Sequence, residues 1–187
     1  NGFGEAVRKV GKQLGRTWAP IIDGRAVQTG RTMQSIDPAD GQTVVGTVHL
    51  AGLAEADRAV AVAAAYWPTW RDTPARERAR CIFALGAKMR AERDALAALM
   101  VREVGKPWRQ ADGDVAEAID FCEYYAREML RLDVPRPMQH IPGEINHLTY
   151  RGRGVTVAIA PWNFPLAIFV GLVTAPLVAG NCVVAKP

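Results

Sequence analysis

The most distinctive hydrophobic pattern of the chain lies near its end, where residues 154–185 carry no Lys, Arg, Asp or Glu. Prolines, glycine and asparagines divide this run into three apolar pieces, at 155–160, 166–179 and 182–185. The outer pieces are short and rich in β-branched residues, whereas the middle one is long enough for a helix. This order predicts a strand, a helix and a second strand, which is the βαβ unit of a buried parallel sheet.

A membrane-spanning helix is the alternative interpretation of this charge-free run, because roughly 20 apolar residues can cross a bilayer. The run is interrupted by residues that break helices or favour turns, namely Pro161, Asn163, Pro165, Pro176, Gly180 and Asn181. Because these breakers recur along the run, the pattern favours the βαβ unit, and we expect no membrane span.

The preceding residues predict hairpins followed by helices. Asp23-Gly24 lies between alternating apolar residues, as in a β-hairpin, and Asp37-Pro38 predicts a turn before a strand at 43–50. Helices are predicted at 54–66 from Ala/Val-rich composition, at 73–90 from the Thr73-Pro74 start, at 92–104 before Gly105 and Pro107, and at 112–132 from apolar spacing. We expect the first to stop before Pro68, and Thr73 to cap the second with Pro74 at its first position. The arginine-rich run at 71–80 is interpreted as a solvated helix face, and 139–151 as a polar loop leading into an extended arm.

Composition narrows the function classes. With 187 residues and 49% apolar types, the chain is neither disordered nor collagen-like, and a net charge of +4 is too weak to predict a nucleic-acid partner. The three cysteines are widely spaced, which indicates neither a zinc site nor a disulfide framework and is typical of a cytoplasmic protein. No signal-peptide pattern precedes the first helix.

The ends of the chain suggest a piece of a longer protein. It starts at Asn1 rather than Met and finishes in the strand-like run 183–187. An uncovered apolar strand is a liability in a natural domain, so we expect further chain to cover it.

One cluster of residues is a candidate site. Asn163 lies between Trp162 and Phe164, where the first strand of the βαβ unit gives way to its helix. Ligands of open α/β sheets bind beyond the carboxyl ends of strands, and an asparagine NH₂ can donate to an oxygen that becomes negative during a reaction. The alternative is that Asn163 caps a helix beginning at Pro165.

Lys186 is a second candidate at the same edge, since it ends the next strand and is the only charge after Arg153. It suits nucleotide ribose hydroxyls or phosphate, and the alternative is an ordinary exposed lysine.

Two other motifs are rejected. Gly152-Arg153-Gly154 precedes its strand and lacks the third glycine of a dinucleotide fingerprint. His140 and His147 are separated by Pro142-Gly143, so no metal site is predicted.

Taken together, the motifs resemble those of the aldehyde dehydrogenase superfamily, in the family's order along nearly the whole chain. The resembling pieces are the hairpin at 22–24, Asp37-Pro38, Trp70, Glu103-Val104-Gly105-Lys106-Pro107, Pro-Trp-Asn-Phe-Pro at 161–165, and Gly180-Asn181 leading to Lys186-Pro187. Within the superfamily, a helix at 6–15, the run at 114–121 and the run at 142–146 are most similar to the Δ1-pyrroline-5-carboxylate (glutamate-γ-semialdehyde) dehydrogenases.

This resemblance implies a cysteine thiolate that attacks an aldehyde, hydride transfer to NAD, and release of the acid by a water that a glutamate activates. It matches Asn163 to the oxyanion-binding amide, and Lys186 to a lysine that binds the adenosine ribose of NAD. Ile159, Ala160, Pro161 and Trp162 match residues lining the cofactor cleft, and Glu117 and Phe164 match positions near the aldehyde. The family's catalytic cysteine and glutamate would lie after Pro187, so the stretch alone is expected to be inactive.

The resulting expectation is an incomplete α/β, aldehyde-dehydrogenase-like fold. Residues 1–138 would form the N-terminal helical part of the NAD-binding domain, 139–153 the start of an oligomerisation arm, and 154–187 the first βαβ of a Rossmann-like parallel sheet. The implied partners are a small aldehyde, other copies of the chain in a homo-oligomer, and proline dehydrogenase, either fused or cooperating. The alternatives are an enzyme for another aldehyde, such as succinic semialdehyde, and a non-catalytic nucleotide-binding module.

Overall fold

The computed structural model describes residues 2–187 as a mixed α/β structure. Its helices are α1 (Gly2–Gly11), α2 (Leu53–Asp72), α3 (Ala75–Ala91), α4 (Arg93–Val104), α5 (Trp108–Leu132) and α6 (Ala167–Val178). Its strands are β1 (Arg16–Trp18), β2 (Ile21–Ile22), β3 (Arg25–Ala26), β4 (Thr32–Ile36), β5 (Val44–His49), β6 (Arg136–Pro137), β7 (His147–Leu148), β8 (Val155–Ile159) and β9 (Cys182–Lys186). The α/β class and the predicted order of the elements are confirmed.

The core forms where α3, α4 and α6 pack around α5. Small side chains let these helices approach closely: Ala118 and Ala126 of α5 are fully buried, and Gly86 of α3 faces Cys122. A Cβ at Gly86 would lie 3.2 Å from the Cys122 Cβ, so the two helices meet at a position that only glycine fits without adjustment. The predicted helices 73–90, 92–104 and 112–132 are therefore present, although α5 begins earlier, at Trp108.

Helix α2 continues past Pro68 to Asp72, so the predicted stop before that proline is wrong. Proline removes one helical hydrogen bond, but two indole groups anchor the end of α2 to the last turn of α6 and to the residues that follow it. Trp67 Nε1 donates to the Gly180 carbonyl at 3.1 Å, and Trp70 Nε1 donates to the Leu177 carbonyl at 2.9 Å. Tertiary contacts thus outweigh the local preference of Pro68 to end the helix.

Thr73 closes α2 instead of capping α3, which corrects a second expectation. Its hydroxyl donates back to the Thr69 carbonyl at 2.9 Å, and the residue that precedes α3 in the cap position is Pro74. The carbonyl of Pro74 accepts from the amides of Glu77 and Arg78, as the first turn of a helix requires.

Arg78 is buried, so the interpretation of 71–80 as a solvated face is wrong at this position. Its Nε donates to the Val178 carbonyl at 2.9 Å, and its Nη1 donates to the Thr73 carbonyl. Burial lowers the pKa of the Arg78 guanidinium from its ordinary value. The side chain satisfies carbonyls at the ends of α2 and α6 and so joins the two helices.

The N-terminal strands follow the predicted turns. Asp23 and Gly24 have φ angles of 56° and 68°, as a two-residue hairpin between β2 and β3 requires. Buried Asp37 opens the β4–β5 turn by accepting from the Ala39 amide at 2.9 Å. Helix α1 spans Gly2–Gly11 and not 6–15. It ends before Gly15, whose φ of 80° is a left-handed conformation that no right-handed helix continues.

The predicted βαβ unit is present at 155–186. Strands β8 and β9 are parallel, with Val155 opposite Cys182 and Ile159 opposite Lys186, and α6 connects them. Asn181 fixes this connection, because its Oδ1 accepts from the Arg153 amide at 2.6 Å and its Nδ2 donates to the Pro176 carbonyl at 3.1 Å. Among residues 2–187, no helix combines the length and apolarity that a bilayer crossing needs.

Glycine substitutions test this packing. Gly152→Ala should destabilise the chain by about 1–3 kcal/mol, because its Cβ would overlap the Gly180 backbone carbonyl. Gly113→Ala is the matched control: beyond the neighbouring backbone of α5, no atom lies within 4 Å of its Cβ position, so it should stabilise α5 by about 0.5–1 kcal/mol. Urea unfolding measures both. Equal free energies of unfolding for the two variants would contradict the close approach of 152 to 180.

Candidate functional site

The carboxyl ends of β8 and β9 bring three of the predicted site residues together. Ile159 lies opposite Lys186 in the parallel register, and the Ala160 amide donates to the Lys186 carbonyl at 3.2 Å. The Ile159 and Lys186 side chains are exposed. Lys186 forms no ion pair within residues 2–187, so its ammonium donors remain free to bind oxygens of a ligand.

Asn163 lies in the loop that joins β8 to α6, which we call the 160–166 loop. Its side chain is exposed, and among the described residues its amide forms no hydrogen bond. Helix α6 begins at Ala167, and its cap position is Leu166, with no side-chain cap. The alternative in which Asn163 caps this helix is therefore wrong, and within residues 2–187 its side-chain amide has no structural partner.

Lys106 holds the backbone at Asn163. It follows Gly105, whose φ of 64° ends α4, and it is only 9% exposed. Its Nζ donates to the Asn163 backbone carbonyl at 3.1 Å, forms an ion pair with the Asp114 carboxylate, and lies 4.0 Å from the Phe164 ring centroid. One ammonium group thus contacts two consecutive residues of the 160–166 loop.

Asp114 holds the other end of the same loop. This α5 residue is 2% exposed, and its Oδ2 pairs with Lys106. Its Oδ1 accepts from the Ala167 amide at 2.6 Å, which is the first amide of α6. The first amides of a helix lack partners within the helix and carry partial positive charge, so a carboxylate there is stabilising.

An open cleft of about 250 Å³ lies over this arrangement. It is lined by Val104, Gly105, Lys106, Pro107, Gln110, Trp162, Asn163 and Phe164. Trp162 is 78% and Phe164 38% exposed, so both rings can cover a ligand beside the Asn163 amide. The cleft therefore combines a free amide donor with aromatic walls, a combination suited to a polar group that must be shielded from water.

Glu117 and Lys186 line neither this cleft nor the larger groove of about 610 Å³ between α5, β8 and α6. Glu117 is exposed on α5, one helical turn after Asp114. Ile159 lines the larger groove, together with Phe121 and Tyr125. The candidates of the βαβ unit thus lie at the ends of β8 and β9 and in the 160–166 loop, whereas Glu117 lies on α5, and the set does not converge on one pocket.

The three cysteines do not line the cleft. Cys122 is buried in the helical core, and burial, followed by the charge of Glu123, raises the pKa of its thiol to about 11. Cys182 is buried in β9, where burial also raises the pKa of its thiol. Cys81 is exposed on α3. A nucleophilic cysteine needs a lowered pKa and access to the substrate, and neither buried thiol has these properties.

Sequence reasoning did not assign a role to Lys106 or Asp114. A signal for Asp114 is present, since it interrupts the buried stripe Ala111, Val115, Ala118 and Ile119 of α5. An acidic residue on a buried helix face needs a partner of opposite charge or a set of donors. Nothing in the local sequence indicates that Lys106, rather than another cation, supplies that partner.

Comparisons with known proteins agree with this architecture. A profile of the aldehyde dehydrogenase family matches residues 25–187. A 1-pyrroline-5-carboxylate dehydrogenase of Bacillus pumilus is 48% identical over 185 residues, which are 99% of this chain and 36% of that relative. The chain therefore spans little more than a third of the length of such relatives.

Solved structures of related proteins match nearly the whole chain. A 1-pyrroline-5-carboxylate dehydrogenase from Thermus with bound NAD matches with a TM-score of 0.95 and 45% identity, covering 99% of this chain and 36% of that one. Proline utilization A from Bdellovibrio bacteriovorus, inactivated by N-propargylglycine, matches with a TM-score of 0.97 and 42% identity, covering 99% of this chain and 19% of that one.

Proposed function

This chain belongs to the aldehyde dehydrogenase family, and from that premise we propose that it acts, as part of a longer polypeptide, in the NAD-dependent oxidation of an aldehyde to a carboxylate. The proposed substrate is L-glutamate γ-semialdehyde, the open form of Δ1-pyrroline-5-carboxylate, and the product is glutamate. The observation that carries the proposal is the Asn163 side-chain amide, which is unpaired within residues 2–187. Its loop is held by Lys106 at the Asn163 carbonyl and by Asp114 at the Ala167 amide.

In this proposal the Asn163 side-chain NH₂ donates to the carbonyl oxygen of the aldehyde, whose negative charge grows as the carbonyl carbon is attacked. A donor already fixed in place stabilises that charge without reorganisation, which is why such groups contribute strongly to rate. Phe164 and Trp162 exclude water beside the amide, which strengthens the hydrogen bond. Glu117 and Phe164 are assigned to the surroundings of the substrate.

The residues at the strand ends fit one part of a dinucleotide site. Lys186 offers free ammonium donors for ribose hydroxyls, next to exposed apolar surface at Ile159. Ala160, Pro161 and Trp162, which follow Ile159, would line the cofactor site beside Lys186. When bound there, NAD supplies the hydride acceptor of the reaction. The Thermus relative crystallised with bound NAD supports this assignment.

The remaining assignments concern the organisation of the whole protein. We assign residues 1–138 to the helical part of the NAD-binding domain, 139–153 to the start of an oligomerisation arm, and 154–187 to the first βαβ unit. The chain by itself is inactive in this proposal, because burial raises the pKa of the Cys122 and Cys182 thiols and the exposed Cys81 does not line the cleft beside Asn163. We further propose a cytoplasmic homo-oligomer that is fused to, or cooperates with, proline dehydrogenase. The likeness to bifunctional proline utilization A supports the last point.

Substrate comparison tests the proposed function. The complete polypeptide that carries this chain should form NADH with Δ1-pyrroline-5-carboxylate at a kcat/KM roughly tenfold or more above that with succinic semialdehyde. The isolated 187-residue chain is the control and should form none. Equal kcat/KM values would contradict the substrate assignment. Nucleotide binding without oxidation of either aldehyde would favour a non-catalytic module.

Removal of the Asn163 amide tests its role. Asn163→Ala should lower kcat by about 10²–10³-fold, the usual cost of losing one oxyanion donor. Because the side chain makes no hydrogen bond within the described residues, thermal stability should change little. Gln42→Ala, which removes an exposed amide from the β4–β5 turn, is the matched control. A lower melting temperature with unchanged kcat would contradict the role.

Lys186 is tested through cofactor affinity. Lys186→Met should raise the KM for NAD roughly tenfold, as expected for the loss of a hydrogen bond from a charged donor, and should leave kcat nearly unchanged. Lys88→Met, at an exposed lysine of α3, is the control. A KM for NAD equal to that of the control variant would contradict ribose binding by Lys186.

A further inference from the structure

We propose that Lys106 and Asp114 are positioning residues, which set the place of the Asn163 amide by holding both the middle and the end of the 160–166 loop. The inference rests on the proposed role of Asn163, and it assigns to both residues an effect that is exerted through Asn163. It follows from the contacts of one buried ion pair.

The first contact fixes the residue that bears the amide. Lys106 Nζ donates to the Asn163 backbone carbonyl at 3.1 Å. Because the carbonyl and the Cβ belong to the same residue, restraining the carbonyl restricts the direction in which the side chain leaves the backbone. The ammonium also lies 4.0 Å from the Phe164 ring centroid, so the next residue is held by the same group.

The second contact fixes the end of the loop. Asp114 Oδ1 accepts from the Ala167 amide at 2.6 Å, so the first turn of α6 is tied to α5. At its other end the loop is anchored by the Ala160 amide, which donates to the Lys186 carbonyl of β9. Asn163 thus lies midway between two fixed points, and Lys106 restrains it between them.

Stability of the fold alone does not explain why charged residues occupy these two buried positions. Well-packed apolar residues often replace a buried ion pair with no loss of stability, because removing two charges from water is costly. Here each partner makes one further hydrogen bond, and both of these bonds reach the backbone of the same segment, at 163 and 167. Two hydrogen bonds to the same short segment indicate that the pair positions the loop, because residues that only fill core volume would not need them.

Precision at Asn163 matters because oxyanion stabilisation depends on donor placement. A misplacement of about 1 Å can cost roughly 10²-fold in rate even when the changed residue lies outside the reacting groups. An amide on a free loop would also have to be ordered in each catalytic cycle. The Lys106–Asp114 pair supplies that order before the substrate binds.

The test is a double-mutant cycle in the complete polypeptide. Lys106→Met alone would leave Asp114 as an unpaired buried carboxylate, so the main variant is Lys106→Met/Asp114→Asn, which keeps an acceptor for the Ala167 amide. It is combined with Asn163→Ala. Lys88→Met/Asp120→Asn, at exposed residues of α3 and α5, is the matched control. The measured quantities are kcat, the KM for NAD, and the melting temperature.

If the pair acts through Asn163, Lys106→Met/Asp114→Asn lowers kcat about 10–100-fold and leaves the KM for NAD within about twofold. In the Asn163→Ala background the same two substitutions lower kcat by less than about threefold, since the amide that they position is already absent. The control double variant keeps the wild-type kcat.

Three results would overturn the inference: wild-type kcat in Lys106→Met/Asp114→Asn, effects that multiply fully with Asn163→Ala, or failure of the double variant to fold, which would assign the pair to stability alone. A normal kcat in Asn163→Ala is a different failure, because it refutes the proposed function of Asn163 itself.

Discussion

The buried ion pair between Lys106 and Asp114 is the interaction on which the site depends. It joins the turn after α4, the face of α5 and the start of α6 in one network. Charged groups are tolerated at such depth only when their remaining hydrogen bonds are satisfied, and here the satisfying partners are the carbonyl of Asn163 and the amide of Ala167. The helical layer therefore holds the 160–166 loop at Asn163 and at its junction with α6.

The opposite end of α6 is fixed by a separate set of polar groups. Trp70, Arg78 and Asn181 together satisfy carbonyls of the last turn of α6, at Leu177, Val178 and Pro176. With both ends attached, α6 has little freedom to shift against β8 and β9. This matters for the proposed chemistry, because Asn163 lies in the loop before α6 and Lys186 ends β9, the strand after α6. Both candidate groups are thus carried by one βαβ unit whose helix is attached at both ends.

The sequence predicted the parts of this structure that local patterns control. The Asp23-Gly24 hairpin and the βαβ unit follow from turn chemistry and from charge-free, β-branched runs. The errors have tertiary causes: α2 continues through Pro68 because distant carbonyls hold its tryptophans, and Arg78 is buried because it serves two helix ends. The Lys106–Asp114 pair was missed for the same reason, since only the fold shows what each charge contacts.

Amide hydrogen exchange at Ala167 tests the central claim most directly, because it reports the Asp114 hydrogen bond without requiring catalysis. Within the described residues, the Ile168 amide has no backbone partner, so it serves as the internal reference from the same helix turn. Our account predicts that Ala167 exchanges about tenfold or more slowly than Ile168 and that Asp114→Ala removes the difference. Equal exchange at the two amides in the unsubstituted chain would contradict it.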